Sequence, residues 1–181
     1  MVKKNVESKP ARLKLSNIPL GGLRTPNNSA RSRNRGFCES DNEPTEIVEK
    51  LFVSNYQGVS KLKALQRQGI DVIVNLCSHK CENKFPNHFE YENFTIPDKT
   101  DHRINRELRK AAKMIDSHLK LDRRVVIHCR KGISRAPTVV LAYLILYRKY
   151  HFKEALRYVK EKHNRCNPNF GFLVQLLKID K

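Results

Sequence analysis

From Thr45 onward the apolar residues fall into short runs and helical stripes, whereas residues 1–44 follow no period. "EIVEKLFVSN" reads as two short strands in succession. "VSKLKALQRQG" reads as a helix stopped at Gly69, a residue that tolerates the positive φ of a helix C-cap. "IDVIVNLC" is a nearly continuous run rich in Val and Ile, the pattern of a strand buried on both faces. "FEYENFTI" alternates as a further strand. "RINRELRKAAKMIDSHLKL" puts Ile104, Leu108, Ala111, Ala112, Ile115 and Leu119 on one helical stripe. "RVVIH" is a short buried strand, and "PTVVLAYLILYRKY" is apolar all round, which predicts a central buried helix too short to cross a bilayer. "FKEALRYVKEK" and "GFLVQLLKI" predict two closing helices. Strands alternating with helices predict an α/β sandwich, a central, mostly parallel sheet flanked by helices.

The aperiodic stretch changes this picture at one end only. Residues 1–44 hold Pro10, Pro19, Pro26 and Pro44, a single aromatic (Phe37), and nine Lys and Arg against four acidic residues. Such a segment buries too little to offset its ordering entropy, so a disordered basic tail is expected before one domain at 45–181. A chain of 181 residues suffices for one full core and is short for two. The net charge of +18, from 36 basic and 18 acidic residues, suits nucleic acid, acidic membranes or phosphorylated partners and does not choose among them. No apolar run approaches the roughly 18 residues of a membrane span, and "MVKKNVESKPARLKL" lacks the apolar core of a secretory signal. Five cysteines at irregular spacing do not form a disulfide framework. The expectation is an intracellular protein, cytoplasmic or nuclear, with reduced thiols.

One of those thiols sits where chemistry is expected. In "VVIHCRKGISRAP" a cysteine ends an apolar strand and a basic, glycine-bearing loop leads into the buried helix. Ligands of open α/β sheets bind at the carboxyl ends of strands, and helix N-termini hold anions through free N–H groups. The loop Cys129, Arg130, Lys131, Gly132, Ile133, Ser134, Arg135 is therefore expected to wrap a phosphate with its backbone amides. Gly132 lets the chain curl, and Arg135 can grip two phosphate oxygens in a bidentate fork that a lysine cannot match. The same positive field should favour the thiolate of Cys129, ready to attack phosphorus.

"HCRKGISR" resembles the His-Cys-x5-Arg signature of cysteine-dependent protein phosphatases, and its Ser-Arg ending looks like the dual-specificity branch. The likeness extends over residues 45–181. "LFVSNYQGVSKLKALQRQGIDVIVNL" is similar to the family's opening elements, and "NPNFGFLVQL" to its closing Pro-Asn-x-x-Phe-type motif. The resemblance implies a phosphatase-type fold with the phosphate-binding loop between strand and buried helix. It also implies hydrolysis of phosphotyrosine and phosphoserine or phosphothreonine in proteins, through a phosphocysteine intermediate and without metal or cofactor.

The remaining parts follow. A departing alkoxide or phenoxide needs a proton, and a loop carboxylic acid is the natural donor. "TIPDKTDHRIN" offers Asp98 and Asp101; the resemblance selects Asp98, leaving Asp101 to cap the helix starting near Arg103. Ser134 should hydrogen-bond the cysteine sulfur, and Asp98, once ionised, should act as base for the hydrolytic water. His128 is expected to fix the loop and, by the resemblance, to tune the cysteine. Asn75 is expected to brace the loop from the neighbouring strand. Arg130 to Arg135 form the binding loop, with Ile133 as an apolar lip. Lys131 stands where relatives commonly carry a small or acidic residue, which favours acidic or doubly phosphorylated substrates. Ala136 replaces a common serine outside the chemistry. Some relatives pair a strand-end cysteine with the nucleophile in a reversible disulfide, and Cys77 is the candidate here.

Other patterns in the chain compete with these. Cys77, His79, Cys81 and His88 lie close in sequence, but their spacing misses the usual structural zinc patterns. "KPARLKL" in the tail resembles a docking peptide for mitogen-activated protein kinases, Thr25-Pro26 would suit a proline-directed kinase, and "RSRNR" reads as a nuclear signal or a solvated linker. Phosphoinositide-directed relatives usually carry Lys and Gly where this chain has Ile133 and Ser134. RNA 5′-phosphatases read Asn-Arg-Thr-Gly where this chain reads Ser-Arg-Ala-Pro, so nucleic acid is not favoured. A non-catalytic phosphoprotein-binding module typically lacks the cysteine or arginine, and Cys129, Arg135 and Asp98 are all present.

Overall fold

Period-two alternation in three neighbouring strands separates the apolar residues onto the two faces of one sheet. The computed structural model describes residues 43–180; the docking-like and nuclear-signal-like segments of the tail lie outside the described residues. Strands β1 (Thr45–Val48), β2 (Leu51–Asn55), β3 (Val72–Asn75), β4 (Glu90–Asn93) and β5 (Val125–Cys129) form a sheet in the order β1-β2-β5-β3-β4. β1 runs antiparallel to β2, and every other pairing is parallel. The helices are α1 (Tyr56–Val59), α2 (Leu62–Arg67), α3 (Asn105–Lys120), α4 (Arg135–Arg148), α5 (Phe152–Lys162) and α6 (Phe170–Ile179). The expected α/β sandwich with a mostly parallel sheet is the observed architecture. Among the described residues no helix is long and apolar enough to cross a membrane.

Leu51, Val53, Val72, Val74, Val125 and Ile127 point into the larger core beneath α3 to α6. Their strand neighbours Phe52, Ile73 and Val126 point into a smaller core with Val59, Leu65, Ile70 and Phe89. The α3 stripe behaves as its spacing predicts: Ile104, Leu108, Ala111, Ala112 and Ile115 are buried, and Leu119 packs at the margin. α4 is buried from Arg135 through Ile145 and is enclosed by α3, α5 and α6.

Three element boundaries depart from the sequence pattern, two of them through an asparagine side chain. Asn55 caps α1 by accepting from Gly58 N at 2.7 Å, so an unexpected turn precedes the helix expected over 59–69, which shortens to α2. The strand expected over 70–77 stops at Asn75, whose Oδ1 accepts from Cys77 N at 3.0 Å and turns the chain. Cys77 therefore lies beyond the strand, with an isolated bridge to Thr95. β4 is likewise shorter than the run 89–96, because its partner β3 has ended.

His128 shows what burial in this fold does to a titratable group. It is 1% exposed, with its ring 6.2 Å from that of Tyr56 in a stacked arrangement. Burial pushes its pKa down to about 4, opposed by a hydrogen bond with the Cys129 backbone and helped, least of the three, by the Arg135 charge. His163 is shifted in the same direction, again chiefly by burial. An unfolded His takes up its proton near pH 6.5, so between pH 6.5 and 4 the unfolded chain binds more protons. His128 therefore contributes stability above pH 6.5 that is lost as pH falls. Denaturation in urea should show a loss of about 2 kcal/mol from this residue between pH 7.5 and 5, with a flatter profile in His128→Gln. A wild-type midpoint that does not move over that range would contradict the assignment.

Candidate active site

β5 ends at Cys129 and α4 begins at Arg135, so the seven-residue loop of the signature spans the step from central strand to buried helix. β2 and β3, the parallel neighbours of β5, end at Asn55 and Asn75 on the same rim of the sheet. The loop is tied down from both sides. Tyr56 N donates to Arg130 O at 3.3 Å, His163 Nε2 to Gly132 O at 2.8 Å, and Asn167 N to Ile133 O at 2.9 Å. Gly132 sits at φ +69°, and a Cβ there would lie 3.0 Å from Ser54 O, so a side chain would be both strained and crowded. This curl aims Gly132 N at Cys129 Sγ, 3.3 Å away, and Cys129 itself is 1% exposed. Arg130 and Lys131 are exposed at the rim, and Ile133 is half-buried.

Asp98 comes to this loop from the segment after Ile96. Its Oδ1 accepts from Ser134 Oγ at 2.8 Å and from Asn169 Nδ2 at 2.9 Å, and its Oδ2 lies 3.5 Å from Arg135 Nε. Arg135 also donates through Nη1 to Ile96 O at 3.1 Å. Cys129, Ser134, Arg135 and Asp98 thus gather from two segments more than thirty residues apart. A carboxylate, a guanidinium, a hydroxyl and a thiol on a loop whose Gly132 N–H turns inward can bind a tetrahedral oxyanion, attack it and move a proton.

Several expected contacts differ. The single Ser134 proton goes to Asp98, because a carboxylate is a stronger acceptor than sulfur, and the hydroxyl oxygen accepts from Asn169 N at 3.2 Å. Asn75 does not reach the phosphate loop. Its Nδ2 donates to Cys81 O and Asn83 Oδ1 and its Oδ1 accepts from Cys77 N, so the whole carboxamide organises the segment after β3. Asp101 does not cap α3, whose N-cap position is Ile104. Cys77 is fully buried; burial first, and a hydrogen bond with the Cys81 thiol second, push its pKa up. The Arg135 charge opposes this, and the Cys129 charge adds to it. Cys77 and Cys81 are buried while His79 and His88 are exposed, and among the described residues these four do not come together as a metal-ligand group.

Asn169, His163, Asn167 and Tyr56 are site residues that the sequence reading did not assign. Asn169 opens an apolar run and so carries an N-cap signal, and it does cap α6 by accepting from Phe172 N at 3.0 Å. Its second contact, with Asp98, crosses 71 positions and has no local signature.

Residues 51–181 match the dual specificity phosphatase catalytic domain. Dual specificity protein phosphatase 2 of Homo sapiens is 33% identical over 156 residues, covering 86% of this chain and 49% of that protein. Dual specificity protein phosphatase PHS1 of Arabidopsis thaliana is 34% identical over 142 residues, covering 77% of this chain and 15% of that protein. The chain thus spans half or less of these relatives' length. The crystal structure of human tyrosine phosphatase-like serine/threonine/tyrosine-interacting protein superposes with a TM-score of 0.70 at 31% identity, over 75% of this chain and 94% of that one. The chain belongs to the dual specificity phosphatase family.

Proposed function

We propose that residues 45–181 form a protein phosphatase domain that hydrolyses phosphotyrosine and phosphoserine or phosphothreonine through a phosphocysteine intermediate, with 1–44 as a basic tail. The observation that carries this is the convergence of Asp98, Ser134 and Arg135 on the loop whose Gly132 N–H points at Cys129 Sγ. The sulfur of Cys129 attacks phosphorus, and the bond to the leaving oxygen breaks as Asp98 gives that oxygen a proton. The resulting Asp98 carboxylate takes a proton from water, whose oxygen attacks phosphorus and expels the Cys129 sulfur. Arg135 and the loop amides meet the charge on the phosphoryl oxygens in both steps. Ser134, bound to Asp98, orients the acid. A cytoplasmic or nuclear setting, where thiols stay reduced, suits a cysteine nucleophile. Lys131 at the rim and the segment of residues 9–15 suit acidic, doubly phosphorylated substrates such as activated mitogen-activated protein kinases.

With reduced protein, Cys129→Ser should abolish hydrolysis of phenyl phosphate, and Asp98→Asn should lower it by about 10²–10³. Phosphopeptides carrying phosphotyrosine and phosphothreonine should both be turned over, and phosphoinositides and RNA triphosphate ends should not. Tight phosphopeptide binding without turnover would overturn the proposal in favour of a binding module.

Cys77 is the proposed resolving thiol. Peroxide oxidises Cys129 to the sulfenic acid, and the Cys77 sulfur displaces its hydroxyl as water to leave a disulfide. Peptide mapping after peroxide treatment should recover a Cys77–Cys129 link that thiol reductant reverses; a Cys77–Cys81 link in its place would remove Cys77 from this role.

A further inference from the structure

The acid-bearing segment, residues 97–104, has little to hold it. Asp98, Lys99, Thr100, Asp101 and Arg103 are exposed, and within the segment the backbone makes a His102 N to Lys99 O bond at 3.3 Å. Ile96 and Ile104, both fully buried, pin its two ends. Between them Ser134 and Arg135 meet the Asp98 carboxylate alone, and α6 meets the segment in three places.

Asn169, the α6 N-cap, is fixed by its own helix. Its Oδ1 is committed to Phe172 N, which leaves Nδ2 to donate to Asp98 Oδ1. Gly171 lies against Thr100 so closely that a Cβ at Gly171 would stand 1.7 Å from Thr100 O and 2.6 Å from its carbonyl carbon. Here the glycine answers close approach of two backbones. One turn on, the Gln175 carboxamide bridges the far end: Oε1 accepts from Ile104 N at 2.8 Å, and Nε2 donates to His102 O at 2.8 Å and to Gly171 O at 3.2 Å. Phe172 and Leu176, both fully buried, seat the same helix in the larger core. None of these three contacts uses Arg135, so they are independent of how its guanidinium is engaged.

We propose that α6 is the positioning element for the general acid: Asn169, Gly171 and Gln175 hold residues 97–104 against the core so that the Asp98 carboxyl faces the Cys129 loop. This rests on the reading of Asp98 as the acid. The three residues touch no substrate; they act through the segment. Their effect should therefore appear only where proton donation limits the rate, since displacement by about 1 Å is enough to cost a factor of 10² in a positioned group.

The test compares phenyl phosphate, whose leaving group needs a proton, with an aryl phosphate bearing a strongly acidic phenol, which does not. Asp98→Asn, Gly171→Ala, Gln175→Ala and Asn169→Ser are measured on both; serine keeps an N-cap acceptor while removing the amide donor. Asp98→Asn should lose about 10²–10³ on phenyl phosphate and less than about 10-fold on the activated ester. Gly171→Ala and Gln175→Ala should lose about 10–30-fold on phenyl phosphate and stay within about 3-fold on the activated ester, with a weaker pattern of the same kind for Asn169→Ser. Amide hydrogen exchange in peptides covering 97–104 should accelerate in the same variants while the peptides of β5 and α4 keep wild-type protection. Equal losses on both esters, or faster exchange with no selective loss, would overturn the proposal and leave α6 a packing element. Unchanged exchange in Gly171→Ala and Gln175→Ala would overturn the clamp itself. A lack of leaving-group discrimination in Asp98→Asn, with exchange faster in the α6 variants, would instead remove Asp98 as acid while the physical clamp stood.

Discussion

The pairing of β5 on both edges is the constraint from which the site follows. β2 and β3 each run parallel to it, so its backbone groups are satisfied on both sides and its last residue has little freedom. All three strands end at one level, and the chain leaves the sheet with its next N–H groups unpaired by any ladder. α4 then starts within seven residues, buried on every side, with its N-terminus under the same loop. A strand that cannot shift and a helix that cannot tilt leave the intervening residues one way to curl. Gly132 supplies the only positive φ that the curl requires between Cys129 and Arg135.

Arg135 shows what this rigidity costs and what offsets it. An arginine whose side chain is 9% exposed has lost nearly all of its water, a penalty of several kcal/mol unless partners replace it. The Ile96 carbonyl and the Asp98 carboxylate are those partners, and they lie on the far segment. The buried charge on α4 therefore draws the acid-bearing chain toward the loop. A phosphoryl dianion is a stronger counter-charge than one carboxylate at 3.5 Å, so the same guanidinium is suited to receive one.

Much of this was legible in the sequence because local chemistry dictated it. The α3 stripe, the all-apolar α4 and the Val/Ile strands carry their own periods, and tertiary packing agreed with them. The loop was legible for the same reason: Cys129, Gly132, Ser134 and Arg135 are neighbours, so their spacing alone encodes their geometry. What was not legible depended on one side chain choosing among distant acceptors. Ser134 reads as a partner for the neighbouring sulfur, and only the fold brings the Asp98 carboxylate to it. Asn75 and Asn55 read as residues at strand ends, yet their carboxamides terminate the strand or start a helix turn. Gly171 carried no signal at all, since its need for a missing side chain is set by Thr100.

The margins of the sheet bear on how these molecules behave beside one another. β4, at one end of the sheet, has four residues and carries Glu90 and Glu92, with Glu90 bound to Arg123. β1, at the other end, is equally short and loses register between Glu46 and Val48, while Tyr158 Oη donates to Ile47 O. A neighbouring chain seeking to extend the ladder would meet acidic side chains on one side and a bulged, partly occupied strand on the other. The same apolar strands that make the interior so regular are therefore kept from serving as a template for aggregation.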